Sequence, residues 1–186
     1  MMAVIDRHRA SVLFIDMQER LVPEVEFGNL VASMCERLMA WLSDQQASAV
    51  VTEHCAAKLG NTVFEVPKTA MRVDKTAFSA IKEHSVQVIA PQQQVIVCGM
   101  ESHVCVFQTV MDLLEAQKHV FVVTDLVASR DPIDKMAALA RMQAAGAMIV
   151  TIEMVLFEWV RNTSDESFGS MLQLVKRLRQ IKATNS

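Results

Sequence analysis

Short runs of β-branched and apolar residues alternate along the chain with longer stretches of helical spacing, the pattern of a parallel sheet wrapped by helices. The alternation predicts strands over 11–15, 49–52, 70–74, 95–98 (closing at Gly99), 120–124 and 147–151. Between them, Leu30, Met34, Arg37, Leu38, Trp41 and Leu42 mark a helix over 30–46, and a second amphipathic stretch covers 104–118. Asp131 and Pro132 supply a cap and a first-turn proline for a helix over 132–145 that stops before Gly146. A last helix over 168–181 carries basic residues in its final turns, where the helix dipole favours them. The expected architecture is one α/β domain over 1–186: an open six-stranded parallel sheet with helices on both faces, three-layer and Rossmann-like.

Such sheets bind ligands at the carboxyl ends of their strands, near the point where strand order reverses. The residues closing the predicted strands are Asp16, Glu53 with His54, Lys75, the 99–105 loop and Asp125. The five glycines, Gly28, Gly60, Gly99, Gly146 and Gly169, are too far apart for a GxGxxG or P-loop phosphate cradle. GxSxG is missing too, which makes Ser102 a poor serine nucleophile.

Cys105 opens the predicted helix after the fourth strand, where free N–H groups and the dipole would stabilise a thiolate. A thiol nucleophile needs a base and a cation, and Asp16 and Lys75 close two other strands on the same edge. Position alone favours a plainer arrangement: Cys105 an apolar core cysteine, Asp16 a strand-end cap and Lys75 a surface lysine.

Composition narrows the classes. The formal charge is −3, from 18 basic and 21 acidic residues, and aromatics make up 5% with no Tyr. RNA processing, which needs a basic groove with stacking aromatics, is disfavoured, and no nucleic-acid partner is expected. Cys35, Cys55, Cys98 and Cys105 form no CxxC, and residues 1–10 are too short and charged for a leader. That implies a reduced, intracellular and cytoplasmic setting. Apolar stretches break well before the roughly 20 residues of a membrane span, so no membrane partner is expected. With 52% apolar residues, the chain can bury a full core and a subunit surface.

Three segments carry a resemblance: Phe14-Ile15-Asp16-Met17-Gln18, Asp74-Lys75-Thr76-Ala77-Phe78-Ser79 and Gly99-Met100-Glu101-Ser102-His103-Val104-Cys105-Val106. In order and spacing they resemble the signature blocks of the isochorismatase-like cysteine hydrolases. The segments 124–130 and 138–142, with Gly146-Ala147, are similar to the eukaryotic isochorismatase-domain-containing branch. The resemblance implies a catalytic triad of Asp16, Lys75 and Cys105. Asp16 would accept the thiol proton, Lys75 would support the anions, and Cys105 would attack a carbonyl to form a thioester after loss of ammonia or an amine. It implies an oxyanion hole from the backbone N–H groups of Val104 and Cys105, with a non-proline cis peptide at His103-Val104. Isochorismatases proper cleave a vinyl ether without a thiol, so Cys105 favours amide chemistry.

The similar nicotinamidase branch holds a divalent ion with Asp-x-His and a further His after the second strand. Here that strand leads into Thr52-Glu53-His54 with no histidine before His84, and Asp6-Arg7-His8 precedes the first strand. The expectation is no catalytic metal and no cofactor. Gln18, Leu21, His54, Phe78 and His103 flank the triad segments as candidate pocket residues, and Asp125 and Arg130 are expected to brace the loop before Pro132 by capping and an ion pair. Relatives are commonly dimers or larger, so a homo-oligomer acting on a small molecule is expected. The competing function is a catalytically silent member of the same fold serving as an oligomeric scaffold.

Overall fold

The six residues Ala10–Ile15 form strand β1, buried along its whole length. Val12 and Phe14 belong to one apolar layer and Leu13 and Ile15 to the other. That two-sided burial marks a central strand of a parallel sheet. The computed structural model describes residues 4–184; residues 1–3, the start of the segment read against a leader, and residues 185–186 lie outside it. After β1 come α1 (Gly28–Asp44), β2 (Ala49–His54), α2 (Ala56–Leu59), β3 (Met71–Lys75), α3 (Val86–Ile89), β4 (Gln94–Met100), α4 (Phe107–Glu115), β5 (His119–Ala128), α5 (Pro132–Ala144), β6 (Met148–Val150), α6 (Ile152–Trp159) and α7 (Phe168–Thr184). A 3-10 turn spans Val22–Glu24, and a π-helical turn spans Ser102–Val106.

The six strands form one sheet in the order β3-β2-β1-β4-β5-β6, every neighbouring pair parallel. The chain therefore lays strands outward from β1 in one direction, then returns to lay β4, β5 and β6 in the other. The reversal lies between β1 and β4, the kind of position at which open parallel sheets bind their ligands. One apolar layer packs α1, α6 and α7 on the sheet, and the other packs α3, α4 and α5. Trp41 of α1 meets Trp159 of α6 edge to face at 6.4 Å. None of the described helices is long and apolar enough to cross a membrane.

At the switch point β1 and β4 approach so closely that only glycine fits. A Cβ on Gly99 would lie 2.1 Å from the carbonyl oxygen of Ile15, and its φ is +119°. The β4–β5 register shifts between Val97 and Gly99. β5 runs past the predicted Thr124 to Ala128, resuming its pairing beyond the irregularity at Val127 opposite Gly99. Helix α6 follows β6 directly, capped by Thr151, whose hydroxyl accepts the Met154 N–H at 3.3 Å. Its sequence IEMVLFEW is so apolar that no polar stripe announces a helix.

Candidate active site

Asp16 follows β1 in a left-handed conformation (φ 52°), a region Asp tolerates better than most residues, and this interrupts the face-to-face alternation of the strand. Its carboxylate is fully buried and accepts two hydrogen bonds, from Lys75 Nζ to Oδ2 at 2.7 Å and from Thr52 Oγ1 to Oδ1 at 2.7 Å. Lys75 ends β3, with its side chain sealed from solvent, and also donates to the carbonyls of Ala77 (3.3 Å) and Phe78 (3.0 Å). The loop beyond it is tied down by Glu83, which accepts from the backbone N–H groups of Thr76 (2.9 Å) and Ala77 (2.7 Å) and from the Thr76 hydroxyl. The Thr76 hydroxyl and these N–H groups hold the Glu83 carboxyl down at about 2.

Cys105 lies inside the π-helical turn before α4 and is 6% exposed. Burial above all, then the Asp16 charge, pushes its thiol well above the ordinary range, against a smaller opposing pull from Lys75. Cys105 sits in the first turn of the helical run that opens at Ser102 and continues as α4, but burial and the facing Asp16 charge disfavour the thiolate expected there. A resting neutral thiol beside a carboxylate is an acid next to its base.

His54, at the end of β2, pairs in register with Lys75 and shares a strand face with Thr52. One of its ring nitrogens, an Asp16 carboxylate oxygen and Cys105 Sγ lie within 4.8 Å of one another. Its Nδ1 is buried without a hydrogen-bond partner, and the ring stacks on Phe78 at 5.4 Å between centroids. Phe78 is 50% exposed and forms the outer cover.

The remaining candidates divide. Gln18 is fully buried and is scaffolding: its amide accepts from His54 N (2.7 Å) and donates to the carbonyls of His54 (3.1 Å) and Gly60 (2.7 Å). Leu21 packs against the α1 apolar layer. His103 turns toward α5, with Nδ1 3.0 Å from Ser129 Oγ and Nε2 3.6 Å from Asp134, so it is no wall of the Cys105 site.

The cis peptide is Met100-Glu101, and the expectation of His103-Val104 is corrected. The latter bond lies within a helical turn, where Val104 N and Val106 N both donate to Glu101 O (3.1 and 3.2 Å), a pattern built from trans peptides. The Val104 N–H of the expected oxyanion pair thus already has a partner.

Glu101 carries a role the sequence reading missed. It accepts from Arg130 Nε and Nη2, each at 2.9 Å, and from Arg130 N at 3.1 Å, fastening the turn that carries Cys105 to the end of β5. Burial works to raise the Glu101 carboxyl, and the Arg130 bonds outweigh it and hold it low. Asp125 does not brace this loop; it accepts from Ile152 N (2.8 Å) and pairs with Lys182 (2.5 Å), while Asp131 caps α5 through Ile133 N (2.8 Å). Thr52 was also missed, its signal being a hydroxyl two residues before His54 on the same strand face.

Known proteins share this fold. The Isochorismatase domain model matches residues 10–154. Isochorismatase domain-containing protein 2A of Mus musculus is 31% identical over 171 residues, covering 90% of this chain and 83% of that one. The solved MAR1 ribonuclease of Caenorhabditis elegans superposes with a TM-score of 0.85 at 29% identity, covering 93% of this chain and 92% of its own. YcaC of Pseudomonas aeruginosa, solved with hexane-2,5-diol and covalent acrylamide, gives 0.79 at 26% identity over 98% and 97% of the two chains. The chain belongs to the isochorismatase family.

Proposed function

We propose that the protein is a cofactor-free cysteine hydrolase of small amides or amide-like molecules. The observation that carries this reading is the convergence of Asp16, Lys75 and a neutral Cys105 at the switch point of the sheet. Asp16 removes the Cys105 proton as Sγ attacks the substrate carbonyl, with Lys75 offsetting the negative charge on the Asp16–Cys105 pair. The Cys105 N–H receives the oxyanion, joined by Val104 N–H if it shares its bond to Glu101. The amine leaves with the proton held by Asp16, and a water deprotonated by the same carboxylate hydrolyses the thioester to the acid and free thiol. His54 and Phe78 form the substrate-facing wall.

The test is ammonia or amine release from a panel of small amides by the wild type and by Cys105→Ala. Turnover in the first and none in the second supports the reading. Release by neither, with Cys105 inert, leaves the silent scaffold as the better description. The name of the nematode neighbour raises RNA cleavage as a second reading. Its test is hydrolysis of structured and single-stranded RNA, which a chain of net charge −3 is expected to bind weakly at physiological salt. We also propose that it acts as a homo-oligomer in the cytoplasm. Ile133 and Met136 on α5, 67% and 66% exposed, support buried subunit surface, and light scattering checks it.

A further inference from the structure

Asp16, His54 and Cys105 come from the ends of β1 and β2 and from the π-helical turn after β4, and place one oxygen, one nitrogen and one sulfur atom within 4.8 Å of each other. A tetrahedral zinc ion, with bonds of about 2.0–2.3 Å to such ligands, holds ligand atoms roughly 3.3–3.8 Å apart. Closing the difference takes side-chain movements of about an ångström. We propose that these three residues form a binding site for a soft divalent cation of the zinc and cadmium class, and that the ion acts there as a reversible inhibitor.

Three observations support the site. The buried Nδ1 of His54 has no hydrogen-bond partner, so the imidazole enters the site with capacity unused. The ring is already positioned: Gln18 grips the His54 backbone on both sides (2.7 and 3.1 Å), and Phe78 stacks on its face. Asp16 is oriented by Thr52 and Lys75, one hydrogen bond to each oxygen, the kind of outer support that steers a ligating carboxylate and still leaves it lone pairs. Three protein ligands leave a fourth position for water, as in zinc sites that stay open. The Lys75 ammonium beside Asp16 opposes a cation, which favours exchangeable binding over permanent occupancy.

Binding removes both working groups of the proposed reaction. Cys105 loses its proton to solvent as the metal–sulfur bond forms, and the Asp16 lone pair that would take that proton is occupied. The ion is therefore a blocker of the proposed chemistry and no part of it. The inhibitory half of the inference rests on the hydrolase reading; the binding half does not.

The experiment titrates the reduced, chelator-treated full chain with Cd2+, following the ultraviolet thiolate-to-cadmium absorption, and then displaces it with Zn2+. In parallel, iodoacetamide labelling of each cysteine is read by mass spectrometry with and without Zn2+. The expected result is saturation at one equivalent, loss of the band in Cys105→Ser but not in Cys55→Ser, and affinity reduced at least about tenfold in His54→Gln. Zn2+ should shield Cys105 and leave Cys55 labelling unchanged, a comparison made within the wild type even if a variant fails to fold. A band that survives Cys105→Ser, or His54→Gln binding within about twofold of wild type, overturns the site. Binding as expected with no amide turnover would sink the hydrolase reading alone; turnover with no Cd2+ or Zn2+ binding would sink the metal site alone.

Discussion

Lys75 Nζ lies 2.7 Å from Asp16 Oδ2, and neither side chain has any solvent exposure. β3 and β1 are not neighbours, so this pair spans the intervening β2 and ties the sheet edge to its centre. Removing one member leaves the other charge buried without its partner. Lys75→Met is expected to lower unfolding free energy by about 3–5 kcal/mol, while Asp16→Asn with Lys75→Met recovers much of that loss. Urea unfolding of both variants checks it, and a double variant no more stable than the single would count against the pairing.

Gly99 marks the close approach of β1 and β4, with φ at +119° and a Cβ position 2.1 Å from the Ile15 carbonyl oxygen. Gly99→Ala must strain the backbone and push β1 from β4, at an expected cost of about 3 kcal/mol or more. Gly146 has a similar φ of +111° but open space around its Cβ, so Gly146→Ala should cost about 1–2 kcal/mol. Thermal melts of the two proteins side by side provide the comparison.

The loop that covers Lys75 depends on the charge of Glu83. Its folded carboxyl is held at about 2, below the ordinary 4.5, by Thr76 and Ala77. A depressed folded value means the stabilisation is fully present above about 4.5 and is lost as pH falls toward 2. Amide exchange in residues 76–83, corrected for intrinsic rate, should therefore speed up across that window. Glu83→Gln should show fast exchange already at neutral pH.

How much of this was readable in the letters depends on which interactions set each feature. Strand placement and sheet class follow from apolar alternation, so they were legible; strand-end position only nominated Asp16, Lys75 and Cys105, and it was the family resemblance of their three segments that singled them out as one site. The cis peptide was misplaced because the letters of 99–105 do not reveal that Val104 and Val106 share Glu101 O. His103 looked like a pocket residue by proximity to Cys105, but the helical turn rotates it onto Ser129 and Asp134. His54 became central because β2 runs two residues past the predicted Thr52, and its pairing with Lys75 is a register that one strand's sequence does not encode. Arg130 was expected to form an ion pair, but its partner Glu101 is 29 residues away and meets it only through the β4–β5 adjacency.

The central claim is that Asp16 activates Cys105, and acrylamide labelling of the folded protein resolved by mass spectrometry tests it most directly. Acrylamide is small and neutral, and the half-buried Cys55 is an internal control on the same chain. The account predicts that Cys105 reacts faster than Cys55 near neutral pH despite its burial. Its rate should vary little with pH there, whereas an unassisted thiol gains about tenfold per unit. Asp16→Asn, verified as folded by near-ultraviolet circular dichroism, should slow it by about a hundredfold or more. Labelling of Cys105 no faster than Cys55, or equal or faster labelling in Asp16→Asn, would contradict the account.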